Sequence, residues 1–110
     1  MLFRSVVASL VHRTLRTEDV FARYGGEEFA VIARGIQLKH AVMLAERLRH
    51  IVEMTPIPAT AGADLRVTAS FGVASLACCA QGGSIDELVG IADQRLYRAK
   101  GEGRNRVVGA

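Results

Sequence analysis

Apolar residues first recur at helical spacing. Phe3, Val6, Val7, Leu10, Val11 and Leu15 fall on one stripe, which predicts a helix over residues 2–16. No capping residue precedes it, so a missing upstream segment is expected. The period then shifts to two. "DVFARY" (19–24) and "EFAVIA" (28–33) predict two strands, the second with Ala30 and Ile32 on one face and Phe29 and Val31 on the other. Gly25-Gly26 between them suits a tight hairpin, because glycine accepts φ > 0 without a steric penalty. Helical spacing returns over 38–53, with Leu38, Ala41, Ala45, Leu48 and Ile51/Val52 on the apolar face, and Pro56 and Pro58 end it. "LRVTASFGVASL" (65–76) predicts the clearest strand: Leu65, Val67, Ala69, Phe71 and Val73 share one face, opposite Arg66, Thr68, Ser70 and Gly72. Ser84 and Glu87 form a capping-box pattern, opening a helix through Leu88, Ala92, Leu96 and Ala99 that stops at Lys100-Gly101. "NRVVG" (105–109) predicts a short final strand. The order α, β-hairpin, α, β, α, β is that of an α/β fold, an α+β sandwich.

Composition narrows the function classes. Half of the 110 residues are hydrophobic, which excludes a disordered chain. The net charge of +3, without any Lys/Arg run, gives no basic patch for nucleic acid. Cys78 and Cys79 are adjacent, a poor geometry for a bridge, and read as small buried thiols in a reducing compartment. No CxxC or His/Cys spacing fits zinc. The longest apolar run falls short of the roughly 20 residues that span a bilayer. "MLFRSVVASLVHR" does not read as a signal peptide, since Arg4 interrupts it. A cytoplasmic location is expected.

The stretch that carries chemistry is "RYGGEEF" (23–29). Two solvated glutamates on a surface turn would be the commoner reading of an arbitrary hairpin. A Gly-Gly tip, however, lets a ligand approach bare backbone N–H groups, and a neighbouring carboxylate can hold Mg²⁺ together with phosphate oxygens. These are the minimal parts of a nucleotide phosphoryl-transfer site. "AKGEGRN" (99–105) supplies complementary cations, Lys100 and Arg104, on a glycine-rich segment. Taken alone, they would read as charges at a helix C-terminus.

"RYGGEEF" resembles the signature of the GGDEF domain, the diguanylate cyclase family, in its GGEEF form. "ASFGVAS" is similar to the family's later core strand, and "ADQRLYRAKGEGRNRV" to its closing helix and turn. These motifs spread over residues 16–108. The resemblance implies a fold similar to adenylate cyclase and polymerase palm domains. It also implies a reaction joining two GTP molecules into cyclic di-GMP with release of two pyrophosphates, supported by Mg²⁺ (or Mn²⁺). By the same match Gly25 and Gly26 lie against GTP, and Glu27 binds the metal. Glu28 is the second acidic catalytic residue, and Lys100 and Arg104 bind the β- and γ-phosphates. "RTED" fits the family's RxxD pattern, so Arg16 and Asp19, completed by Arg47, are the expected inhibitory site for the product.

The family's domain begins well upstream of residue 1. Its first core strand carries a second metal-binding Asp, and the segment after it recognises guanine; residues 2–15 contain no acid. Residues 1–110 are therefore expected to be a single partial GGDEF domain, its C-terminal two-thirds, lacking the first central strand. Such a piece is expected to be inactive alone. Its strand edges should recruit another GGDEF domain, as a homodimer or higher oligomer, with residues 1–16 the likeliest exchanged element. Two other readings stay open. One is a non-catalytic module holding cyclic di-GMP through Arg16, Asp19 and Arg47; the other is a folded piece that only self-associates.

Overall fold

Helix α1 occupies Leu2–Thr14. The structure, a computed structural model, describes residues 2–58, 62–80 and 83–110. Leu10 and Val11 of α1 are buried. Strands β1 (Val20–Arg23) and β2 (Phe29–Ile32) form an antiparallel hairpin in the register Val20 to Ile32 and Arg23 to Phe29. Its aromatic face joins it to α1: Phe21 stacks on Phe29 at 5.2 Å, and His12 meets the Phe21 ring edge-on at 4.9 Å. Helix α2 (Leu38–Met54) buries Ala45, Leu48 and Val52, three of the predicted apolar positions, and also packs against α1.

Strand β3 is Phe71–Gly72, α3 is Ile85–Gly101 and β4 is Val107–Val108. β3 and β4 pair in parallel, Phe71 with Val107 and Gly72 with Val108. Here the long strand expected over 65–76 is corrected. Only two of its residues are paired in a ladder, because β4 offers only two. Leu65 makes a separate antiparallel bridge to Ile57, and Leu76–Cys78 turn into a 3-10 helix. Strandedness depends on a partner rather than on alternation alone. Among the described residues β1–β2 and β3–β4 are two separate sheets.

Among the described residues the core that unites these pieces is Leu10, Val11, Ala45, Leu48, Val52, Ile57, Ala99 and Val108. Gly72 is the tightest point. A β-carbon there would run into the backbone of Ala92 and Leu96, so α3 lies directly on β3. Arg95 of α3 then pins the C-terminal end, donating to the carbonyls of Val73 (2.8 Å) and Gly109 (3.1 Å).

Two smaller expectations are also corrected. Ser84 Oγ caps α3 by accepting from the Glu87 N–H at 3.1 Å, but the Glu87 carboxylate does not reach back to Ser84. It accepts instead from the Ala80 N–H at 2.6 Å, where the preceding loop offers an unsatisfied donor. Cys78 and Cys79 are free thiols, and both are half-buried rather than buried.

Candidate functional site

The hairpin tip is closed by the Glu28 carbonyl, which accepts from the N–H groups of Tyr24 (2.9 Å) and Gly25 (3.1 Å). The expected left-handed glycines are absent here: positive φ occurs at Gly35, Gly62 and Gly103, not at Gly25 or Gly26. Side-chain space does not explain them either. A β-carbon on Gly26 would meet nothing within 4 Å, and one on Gly25 only Glu28 Cβ at 3.7 Å. Folding therefore requires neither glycine, and what they provide is uncovered backbone at the tip. Arg23 folds over this turn, donating to the carbonyls of Gly25 (3.3 Å) and Gly26 (3.1 Å). Sequence reasoning gave Arg23 no role, since nothing in its local pattern marks it.

Glu27 and Glu28 diverge. Glu27 is exposed at the tip, and Glu28 is half-buried. The Glu28 carboxylate accepts from Lys100 Nζ at 3.4 Å, a contact across 72 positions of sequence. The hairpin tip and the end of α3 thus share one cleft of about 210 Å³, lined by Glu28, Asp93, Leu96, Tyr97 and Lys100. Asp93 and Tyr97 were not foreseen. They lie four positions apart on α3 and so share the helix face that carries Leu96 and Lys100. Arg104 does not line this cleft, and its guanidinium has no hydrogen-bond or ion-pair partner among the described residues.

A second cavity of about 240 Å³ lies between the end of α1, the approach to β1 and the start of α2. It brings together Arg16, Asp19 and Arg47, as the sequence reading required, with Thr14, Ile36, His40, Met43 and Leu44. Arg16 and Asp19 are already locked. Asp19 Oδ2 accepts from the Arg16 backbone N–H at 2.8 Å and from its Nε at 3.4 Å; Oδ1 accepts from Nη2 at 3.0 Å. A further Nη2 bond reaches the Arg34 carbonyl at 2.8 Å. The Arg16 hydrogen bonds hold the Asp19 carboxyl below its ordinary value, and Asp19 in turn raises the Arg16 guanidinium. Arg47 has no partner among the described residues and stands ready for an anion.

The metal was tested against these donors. Among the described residues no three acidic, His or Cys side chains converge as a metal cage. The tip supplies the exposed Glu27 and, beside it, Glu28. That suits Mg²⁺, which uses one or two protein carboxylates and completes its shell with phosphate and water oxygens.

With this geometry in hand, comparison with known proteins identifies the class. The family described as diguanylate cyclase, GGDEF domain, matches residues 2–106, and the chain belongs to that family. It is 47% identical over 96 residues to the Bacillus subtilis protein YhcK, covering 86% of this chain and 26% of that protein. It is 40% identical over 101 residues to diguanylate cyclase A of Treponema denticola, covering 92% of this chain and 26% of that one. The fold matches the crystal structure of the GGDEF domain of DgcB from Caulobacter crescentus in complex with c-di-GMP. That match has a TM-score of 0.83 at 33% identity and covers 93% of this chain and 59% of the solved chain. The chain thus spans about a quarter of these curated relatives' length. No helix among the described residues is long and apolar enough to cross a membrane.

Proposed function

We propose that these residues form the phosphate- and metal-binding part of a diguanylate cyclase, which joins two GTP molecules into cyclic di-GMP and releases two pyrophosphates. The observation that carries this reading is the meeting of Glu28 and Lys100 at 3.4 Å in one cleft. Lys100 and Arg104 receive the β- and γ-phosphates, and the bare Gly25-Gly26 backbone lets the nucleotide approach the tip. Glu27 would hold Mg²⁺ (or Mn²⁺), which when bound would neutralise the attacked phosphate and favour the 3′-alkoxide. Glu28 keeps Lys100 in place until phosphate replaces the carboxylate. The cleft's 210 Å³ is below the roughly 300 Å³ at which small-molecule pockets begin. A whole nucleotide therefore needs surface beyond the described cleft, and its reaction partner needs a second GGDEF domain facing the first.

The test is incubation of the 110-residue chain with GTP and Mg²⁺, followed by chromatography for cyclic di-GMP. The expected result is no product above a Glu27→Ala control. Product above it would show that the residues described here suffice. Light scattering checks assembly: a mass above 11.8 kDa is expected, and a clean monomer with a cooperative thermal transition overturns that part. The reading places the chain in the cytoplasm, where GTP is available.

A second reading, cyclic di-GMP binding without catalysis, is favoured by the preformed Arg16–Asp19 clasp beside the unpartnered Arg47. Calorimetry with cyclic di-GMP tests it on the same sample.

A further inference from the structure

The chain enters β4 through three consecutive left-handed residues: Gly103 (φ 122°), Arg104 (φ 62°) and Asn105 (φ 48°). Glycine and asparagine tolerate this region; arginine rarely adopts it. Something must over-determine the turn, and the contacts show what does. The Asn105 side-chain amide is gripped on both sides by α2. Its Oδ1 accepts from Arg49 Nη1 at 2.9 Å, and its Nδ2 donates to Glu53 Oε2 at 2.6 Å. Its backbone N–H donates to Ser70 Oγ at 3.1 Å. Arg49 is itself fixed by Glu46 (3.0 Å) and Glu53 (3.2 Å). The hydrogen bond from Asn105, followed by Arg49, lowers the Glu53 carboxyl, so it remains an anionic acceptor. On the other side of the turn the Arg104 N–H donates to the Ala99 carbonyl at 2.9 Å. An amide is the side chain that fits, since it offers one acceptor to Arg49 and one donor to Glu53; an aspartate would set two carboxylates against each other.

We propose that Asn105, held by Arg49 and Glu53, is a positioning residue for the phosphate end of the site. It does not touch phosphate. It fixes the backbone from which the unpartnered Arg104 guanidinium reaches it. This rests on the reading of Arg104 as a phosphate ligand. Helix α2 supplies the grip, so the phosphate end is set by a helix that does not line the Glu28–Lys100 cleft.

The experiment titrates magnesium tripolyphosphate into the ¹⁵N-labelled chain and reads the Lys100 and Arg104 amide shifts by NMR, which resolves weak affinities. Saturable shifts are expected for the wild type, weakened about tenfold by Arg104→Ala. Asn105→Gly is the decisive variant. Glycine keeps the left-handed backbone without strain, so if Asn105 merely permits the turn, affinity is unchanged. A grip on the amide predicts a loss of about fivefold or more with the fold retained, a similar loss in Glu53→Ala, and recovery in Glu53→Gln, which keeps an acceptor for Nδ2. Wild-type affinity in Asn105→Gly, with Arg104→Ala still weakened, overturns the proposal alone. Wild-type affinity in Arg104→Ala, or no saturable shift at all, overturns the phosphate reading, and this inference falls with it.

Discussion

The two charged constellations are built in opposite ways. At Arg16–Asp19 one short loop supplies both partners. Three hydrogen bonds join them, and the Asp19 side chain is only 1% exposed. At Glu28–Lys100 the partners come from a hairpin tip and a helix end, share one contact at 3.4 Å, and are 40% and 36% exposed. The first is a fixed local clasp, whereas the second is a loose, exposed contact between distant elements. An ion pair this exposed is readily displaced, since exposed ion pairs contribute little; on the proposed reading, phosphate is what displaces it. A regulatory site gains from a fixed shape, because binding then orders little. A turnover site must release what it binds.

The largest expected effect comes from the frame that carries Lys100. Gly72→Ala forces a β-carbon into the backbone of Ala92 and Leu96, atoms that cannot swing aside. We expect a loss of about 3 kcal/mol or more, seen as a fall in Tm of more than about 10 °C. A shift under a few degrees would show that α3 can slide on β3, and the close contact at Gly72 would not be the tight point described above.

Next in size is Arg16→Ala. It removes the guanidinium that both holds Asp19 and faces the cavity, so cyclic di-GMP affinity by calorimetry should fall about tenfold or more. The fold should survive, because neither residue belongs to the core. Affinity equal to wild type would reduce the clasp to a loop lock.

The difference between the two constellations also decided what the sequence could reveal. Arg16 and Asp19 were singled out together by their RxxD spacing, but as contacts to a ligand; that they bind one another is what the structure adds. Glu28 and Lys100 are 72 apart; the sequence marked them as complementary charges, the family resemblance gave them roles in one site, and their direct contact came only from the structure. The same division runs through the fold. Helices α1, α2 and α3 and the hairpin were readable because their periodicity and stop signals are local. The segment 65–76 alternates like a strand, yet only Phe71 and Gly72 are laddered, since pairing depends on the length of a distant partner. The grip of Arg49 and Glu53 on Asn105 spans more than 50 positions and left no local trace. The glycines of the tip were recognised for the wrong conformational reason: their φ values are not left-handed, and their bareness is what remains to explain them.

A smaller effect concerns the Arg16–Asp19 clasp and depends on pH. Hydrogen bonding from Arg16 depresses the folded Asp19 carboxyl below 3.8. Its contribution is therefore fully present above the ordinary carboxylate range and is lost as pH falls through the depressed value. Carboxyl-detected NMR should give Asp19 a midpoint below 3.8. The stability difference between wild type and Asp19→Asn should be flat from about pH 5 to 7 and shrink only in stronger acid. A difference that already changes near pH 5 would mean the clasp does not persist in solution.

The smallest effect tests the loose site. Glu28→Gln removes one charge of a pair whose partners are both more than a third exposed. It should alter stability by less than about 1 kcal/mol, a Tm change of a few degrees at most. Yet the same change frees Lys100 and removes a negative charge from the cleft. Metal-free tripolyphosphate should then bind more tightly by about twofold at low salt, with the gain fading as ionic strength rises. A large stability loss would mean that the Glu28–Lys100 contact is structural. Weaker tripolyphosphate binding in the variant would mean that Glu28 does not compete with phosphate for Lys100. Either result would remove the contrast between a fixed clasp at Arg16–Asp19 and a displaceable pair at Glu28–Lys100.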